Sequence, residues 1–192
     1  MFISRLASGI APSVPVMADR AVETTLTYLR HVAIVRSPSR VGVETRVKCA
    51  GDNPYEKGWQ RLQAYLRGCN CAHAVLPATV LVVQEQEAER LWRIRVHLPP
   101  GCDQCMLPEP LDPKVNRVVV PPETLAIKRC WGRPTGRAQQ TTEADLRRVL
   151  TNSDWVPDGP ARLRLHAPFS FLPFLRHSEI AVPVRRSTYF AG

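Results

Sequence analysis

NPYEKGWQRLQAYLRG, residues 53–68, reads as a helix with clear ends. Asp52 or Asn53 can cap its start, Pro54 suits the first turn, and Gly68 stands at the stop. Tyr55, Trp59, Leu62 and Leu66 recur at spacings of 4, 3 and 4, which makes one apolar stripe, with Lys57, Arg61 and Arg67 off it. Strands flank this helix. LTYLRHVAIVR (26–36) reads as one strand, and VETRV (43–47) alternates with period two. After the helix PATVLVVQEQ (77–86) is largely apolar. LWRIRVHL (91–98) alternates strictly, which predicts Trp92, Ile94, Val96 and Leu98 facing in and Arg93, Arg95 and His97 facing out to the surface.

Beyond a proline-rich crossover, PPGCDQCMLPEPLDP (99–113), the same order returns. VNRVVVPPETLAIKRC (115–130) is a strand broken at Pro121-Pro122, because proline lacks the N–H a ladder needs. TTEADLRRVLTN (141–152) predicts a shorter, threonine-capped helix with Leu146, Val149 and Leu150 on one side. RLRLH (162–166) and EIAVPV (179–184) read as strands. Strand–helix–strand–strand twice predicts an α+β fold, two helices against curved, mainly antiparallel sheets. The 18 prolines in 192 residues agree with many strand-to-loop transitions rather than a helical bundle. Residues 1–22 read as a disordered leader, 23–186 as one domain and 187–192 as a tail.

HAPFSFLPFLRHSEI (166–180) holds three of the five phenylalanines, Phe169, Phe171 and Phe174, and is broken by Pro168 and Pro173. Three exposed rings of ~150–250 Å² each approach the largest apolar patch of a typical monomer. The chain's own core, a ligand or a partner is expected to cover them.

The formal charge is +9, but the cations are scattered singly and in pairs such as Arg147-Arg148 and Arg185-Arg186. That is a solvated basic surface able to attract anionic ligands, and no nucleic-acid partner is expected. No apolar run reaches the ~18–20 residues of a membrane span. CNCAH (69–73) and CDQC (102–105) bring four cysteines and His73, but one pair is CxC, so zinc, disulfides and free thiols stay open, with free thiols favoured. The leader MFISRLASGIAPSVPVMADR leaves cytoplasmic, mitochondrial and secreted readings open, the cytoplasm being preferred. GxSxG, a Gly-rich phosphate loop and HExxH are all missing from the sequence, which disfavours enzyme readings.

Taken in order, LRH (29–31), YEKGWQRLQAYLRGCN (55–70), PPGCDQCMLPEPLDPKVNRVVVPPETLAIKRCWG (99–132) and FLPFLRHSEIAVPV (171–184) resemble the SOUL family of haem-binding proteins over about residues 26–184. The resemblance implies a distorted antiparallel β-barrel of two βαββ halves with two packed helices. It further implies non-catalytic binding of haem or another tetrapyrrole by a monomer, between the first helix and the 167–177 loop. Phe169, Phe171, Leu172 and Phe174 would then face Trp59, Leu62 and Leu66, with Lys57, Arg61 and Arg67 supplying propionate partners. His31 matches the proposed axial haem-iron ligand of the family branch that opens with such a histidine. The chain departs from the family pattern at Leu172, where some relatives carry a basic residue, at Pro77-Ala78 and at Ser178. Plain core remains the competing reading for Trp59, Leu62 and Leu66, since any amphipathic helix on a sheet shows such a stripe.

The alternative function is a protein-interaction module. One relative's second helix resembles a BH3 segment, and here Leu146, Val149 and Leu150 offer anchors, with the acid displaced to Asp154. A bacterial-type effector-binding module would want a buried glutamate in its cleft, and the sequence offers no convincing one.

Overall fold

The computed structural model describes residues 16–17, 23–49, 54–79, 81–131, 134, 136–166 and 177–187. The strands β1 (Val16–Met17), β2 (Thr24–Leu29), β3 (Val32–Ser37) and β4 (Arg40–Lys48) precede the helix α1 (Pro54–Leu66). Then come β5 (Ala78–Thr79), β6 (Leu81–Ala88), β7 (Leu91–His97), a 3₁₀ turn at Gln104–Met106, β8 (Val115–Val120) and β9 (Glu123–Trp131). The helix α2 (Gly136–Thr151) is followed by β10 (Trp155–Pro157), β11 (Arg162–His166) and β12 (His177–Arg186). Of the expected leader only Val16–Met17 is described, paired in parallel with Ala78–Thr79. The remainder of 1–22, and 188–192 of the expected tail, lie outside the described residues.

One antiparallel sheet runs in the order β2-β3-β9-β12-β11-β6-β7-β4-β8, with β10 added on β12. Its curl is written in the prolines. β3 and β4 lie near opposite ends of that order, yet only Pro38 and Ser39 separate them, and Pro121-Pro122 alone separates β8 from β9. The two bends run side by side, since Ser37 pairs with Glu123, Arg40 pairs with Val120, and the Ser39 hydroxyl donates to the Val120 carbonyl at 3.1 Å. Proline ends each ladder, and the chain passes from one edge of the sheet to the other. The result is α+β, a distorted barrel of two βαββ halves, β4-α1-β6-β7 and β9-α2-β11-β12.

Both helices lie on the outer face, α1 against β4, β7 and β8, and α2 against β9, β10 and β12. Val32, Ile34, Val43, Ile94, Val96, Ile180 and Val182 meet Leu62, Tyr65, Leu66, Leu146 and Leu150 there. Glycine sets the approach of α1, because a Cβ on Gly58 would lie 2.4 Å from Ile94 Cγ1. The helix ends as its sequence predicts. Gly68 takes φ +109°, its N–H donates to the Tyr65 carbonyl, and the Cys69 N–H donates to that of Ala64. Buried Asn70 then donates to the Tyr65 and Ala74 carbonyls at 3.1 and 2.8 Å, fastening the chain below the stop.

Three expectations are corrected. Residues 26–36 form a hairpin rather than one strand, with Leu29 paired to Val32 across a two-residue turn whose Arg30 holds φ +54°. No glycine or asparagine marks that turn. α2 begins at Gly136, and its threonines sit inside it: Thr141 and Thr142 hydroxyls donate to the Arg137 and Ala138 carbonyls one turn back instead of capping. Arg95 and His97, read as outward, are only 8% and 7% exposed. They face the inside of the curl. Glu23 shows this by meeting both Arg40 on β4 and Arg164 on β11, strands far apart in the sheet.

That interior sets an acid response. Burial, then the cations Arg40, Arg95, Arg164 and Arg162, hold the His97 imidazole well below its usual range. Native His97 stays neutral, while in the unfolded chain it gains a proton below pH ~6.5. Its stabilisation is therefore present above that pH and is lost below it, at up to ~1.4 kcal/mol per pH unit. Urea midpoints measured from pH 7.5 down to 5.5 are expected to fall in the parent and to fall less steeply in His97→Gln. Equal slopes would remove His97 as the cause.

Candidate functional site

A cleft of about 610 Å³ opens where β2, β3, β9, β11 and β12 line the inside of the curl. Ala33, Val35 and Ile127 give it an apolar floor, continuous with the small cluster of Val35, Leu125, Ile127 and Ala181, and Tyr28 stands over it. Around this lie Arg30, His31, Lys128, Arg129, Arg164 and His166, against two acids, Glu23 and Glu179. The balance favours an anionic or amphiphilic guest. Deeper inside, between β11, β6 and β7, only about 10 Å³ remains, because ion pairs fill the space.

His31 lies in the β2–β3 turn and lines this cleft. Its Nε2 is 2.8 Å from Asp145 Oδ2 of α2, which Lys128 also reaches. Hydrogen bonds from Lys128 and then from His31 hold the Asp145 carboxyl below the ordinary aspartate range. An ionised carboxylate only accepts, so His31 Nε2 is the donor, and Nδ1 is the ring nitrogen left for another partner. A carboxylate behind an imidazole fixes the ring, the arrangement common to metal-binding histidines.

The other expected site residues lie elsewhere. Lys57 and Arg61 line a second cavity of about 350 Å³ on the outer side of α1, beside Tyr65, Cys69 and Asp112. Leu62 and Leu66 are 0% exposed and belong to the core, and Trp59 is half-buried against it. No residue of α1 lines the His31 cleft among the described residues. Phe169, Phe171, Leu172 and Phe174 lie outside the described residues. His73 is exposed, and Cys69, Cys71, Cys102 and Cys105 carry free thiols. Leu146 and Leu150, the expected anchors for a groove-type partner, are buried beneath α2.

Two features escaped the sequence reading. Glu44, Glu85 and Glu179 are buried inside the curl, where no convincing buried glutamate was expected, and each faces arginine: Glu44 with Arg95, Glu85 with Arg162, Glu179 with Arg164. Alternation set Glu44 apart from its apolar neighbours, but nothing in the sequence marked Glu44, Glu85 or Glu179 as buried. The second feature is His166 stacked on His177 beside Glu179 at the cleft wall. Both histidines stood in the quoted aromatic stretch, but only strand register brings them together.

Among the described residues no helix is long and apolar enough to cross a membrane. No curated protein matches the chain. Among solved structures, an uncharacterized conserved protein from Listeria innocua is 14% identical with TM-score 0.60, the match covering 81% of this chain and 93% of that one. A hydrolase from Listeria innocua is 13% identical with TM-score 0.59, covering 81% and 92%. The EcmrR C-terminal domain is 11% identical with TM-score 0.59, covering 81% and 97%. At such identities the likeness is one of fold. The family model described as SOUL heme-binding protein matches residues 30–183, from the β2–β3 turn into β12 and thus through both βαββ halves. The chain belongs to the SOUL heme-binding protein family.

Proposed function

We propose that this chain binds haem or another tetrapyrrole without transforming it, as a carrier or buffer, in the cleft beside His31. The observation that carries this is an apolar floor ringed by cations in a cleft of about 610 Å³. A flat macrocycle needs apolar surface for its faces and cationic donors for its two carboxylates. Exposed Arg30 and Arg129 at the rim supply the donors. Lys128 and Arg164 are engaged, with Asp145 and with Glu23 at 2.9 Å. His31 supplies an axial nitrogen through Nδ1, held in place by Asp145. The site rests on β2, β3 and β9, away from α1, which packs on β4, β7 and β8.

Haemin titration followed at the Soret band tests this. The parent is expected to saturate at one equivalent. His31→Ala and Arg129→Glu are each expected to weaken binding about tenfold or more, a loss of ~1.4 kcal/mol. Asp145→Ala is expected to weaken it as well, because the ring loses its brace. Lys57→Ala and Arg61→Ala are expected to change nothing. Loss in the α1 variants with parent-like binding in His31→Ala and Arg129→Glu would move the site to the helix face.

A further inference from the structure

We propose that His166, His177 and Glu179 form a binding site for a divalent transition-metal ion of the zinc class on the wall of the cleft. The register builds it. β11 and β12 are antiparallel, His166 pairs directly with His177, and Arg164 pairs with Glu179. Alternation places all three side chains on the inner face. Their ligand atoms lie within 4.8 Å of one another, two imidazoles and one carboxylate, a donor set that suits zinc and similar ions.

The distances favour insertion with little movement. His166 Nε2 and Glu179 Oε2 are 2.8 Å apart across a hydrogen bond. Two ligand bonds of ~2.0–2.2 Å at a tetrahedral angle hold their donor atoms ~3.4 Å apart. The metal takes the place of the bridging proton, His166 binding as the tautomer with its proton on Nδ1, and the pair opens by about half an ångström. The two rings stack with centroids 4.5 Å apart and planes 8° from parallel, so their lone pairs lie in nearly parallel planes and one ring has to turn for both to reach one ion. Turning His177 about its soft terminal torsion makes them converge.

Charge is the main objection, and the neighbours answer it. Arg164 Nη1 is 3.7 Å from Glu179, but its Nη2 is closer to Glu23, at 2.9 Å. Arg129 Nε is 3.6 Å from Glu179, but its side chain is 71% exposed, so water can take over its hydrogen bonds. Two histidines and one carboxylate leave a fourth position open, and since His166 and Glu179 line the cleft, that position faces it. The site shares the cleft with His31 but takes no ligand atom from it, and it does not depend on whether a tetrapyrrole binds.

The test is Co²⁺ titration of the whole chain after chelator treatment, with no tetrapyrrole present. One equivalent is expected to give a saturable visible d–d band without sulfur charge transfer. His177→Ala is expected to weaken Co²⁺ at least about tenfold while keeping parent near-ultraviolet circular dichroism, and His73→Asn, at an exposed histidine away from the cleft, is expected to bind as the parent does. In the parent, Co²⁺ is also expected to shift the ring protons of two of the five histidines, a readout that needs no variant. No saturation at millimolar Co²⁺, a thiolate charge-transfer band, or parent-like binding by a folded His177→Ala would each overturn the proposal.

Discussion

Glu44→Ala is expected to lose about 3–5 kcal/mol of folding stability, read as the urea-unfolding free energy of parent and variant. The Glu44 carboxylate is buried and receives both Nε and Nη2 of buried Arg95, at 3.0 and 2.6 Å. Arg93 and Arg46 approach the same carboxylate at 3.7 Å each. Removing the acid leaves the Arg95 guanidinium inside the curl without its counter-charge, and guanidinium does not escape by losing its proton. The loss is that of an orphaned charge rather than the net worth of the pair. Glu44→Leu with Arg95→Leu is therefore expected to recover most or all of the parent stability, since apolar replacement of a buried pair is often neutral or favourable. A single-variant loss below about 1 kcal/mol would mean that water reaches this face. The consequence for function is spatial. Ion pairs that close the deep interior leave the open space inside the curl at the end formed by β2, β3, β9, β11 and β12.

Local punctuation carried far into the fold. The α1 stop was legible because Gly68 has one job there, a left-handed residue that lets two N–H groups reach back over the last turn. Pro121-Pro122 was legible as a ladder break, and it proved to be one of the two bends that curl the sheet. Which face of each strand points to water was not legible. Alternation separates the two faces of a strand but does not label them, and a curled sheet has two interiors. One is apolar under the helices. The other is built from charges that neutralise each other across strands distant in the sequence, such as Arg164 with Glu23. The site was half legible for the same reason. His31 could be named from the resemblance, but Asp145 lies 114 residues away and reaches it only through the packing of α2. The expectation that α1 presents Leu62 and Leu66 to a ligand came from a stripe that serves equally well as core.

Leu62→Ala separates those two roles of the stripe. It is expected to cost about 2–5 kcal/mol of stability, measured by urea unfolding, while haemin affinity of the folded variant stays within about threefold of the parent. The side chain is fully enclosed between α1 and the sheet, in the cluster that holds Val43, Ile94 and Val96. Nearby, Gly58 already brings the helix against Ile94 so closely that no Cβ fits. With the helix pinned there and Tyr65 hydrogen-bonded to the Pro108 carbonyl at 2.8 Å, the site has little freedom to collapse. The hole left by three missing carbons then persists, which places the expected cost in the upper part of the range. The cleft beside His31 draws nothing from α1, so its floor and rim survive the change. Had Leu62 been a ligand wall, the pattern would reverse, with a small stability cost and a large loss of haemin affinity. The ratio of the two effects in one variant thus decides whether the apolar stripe of α1 belongs to the core or to the ligand.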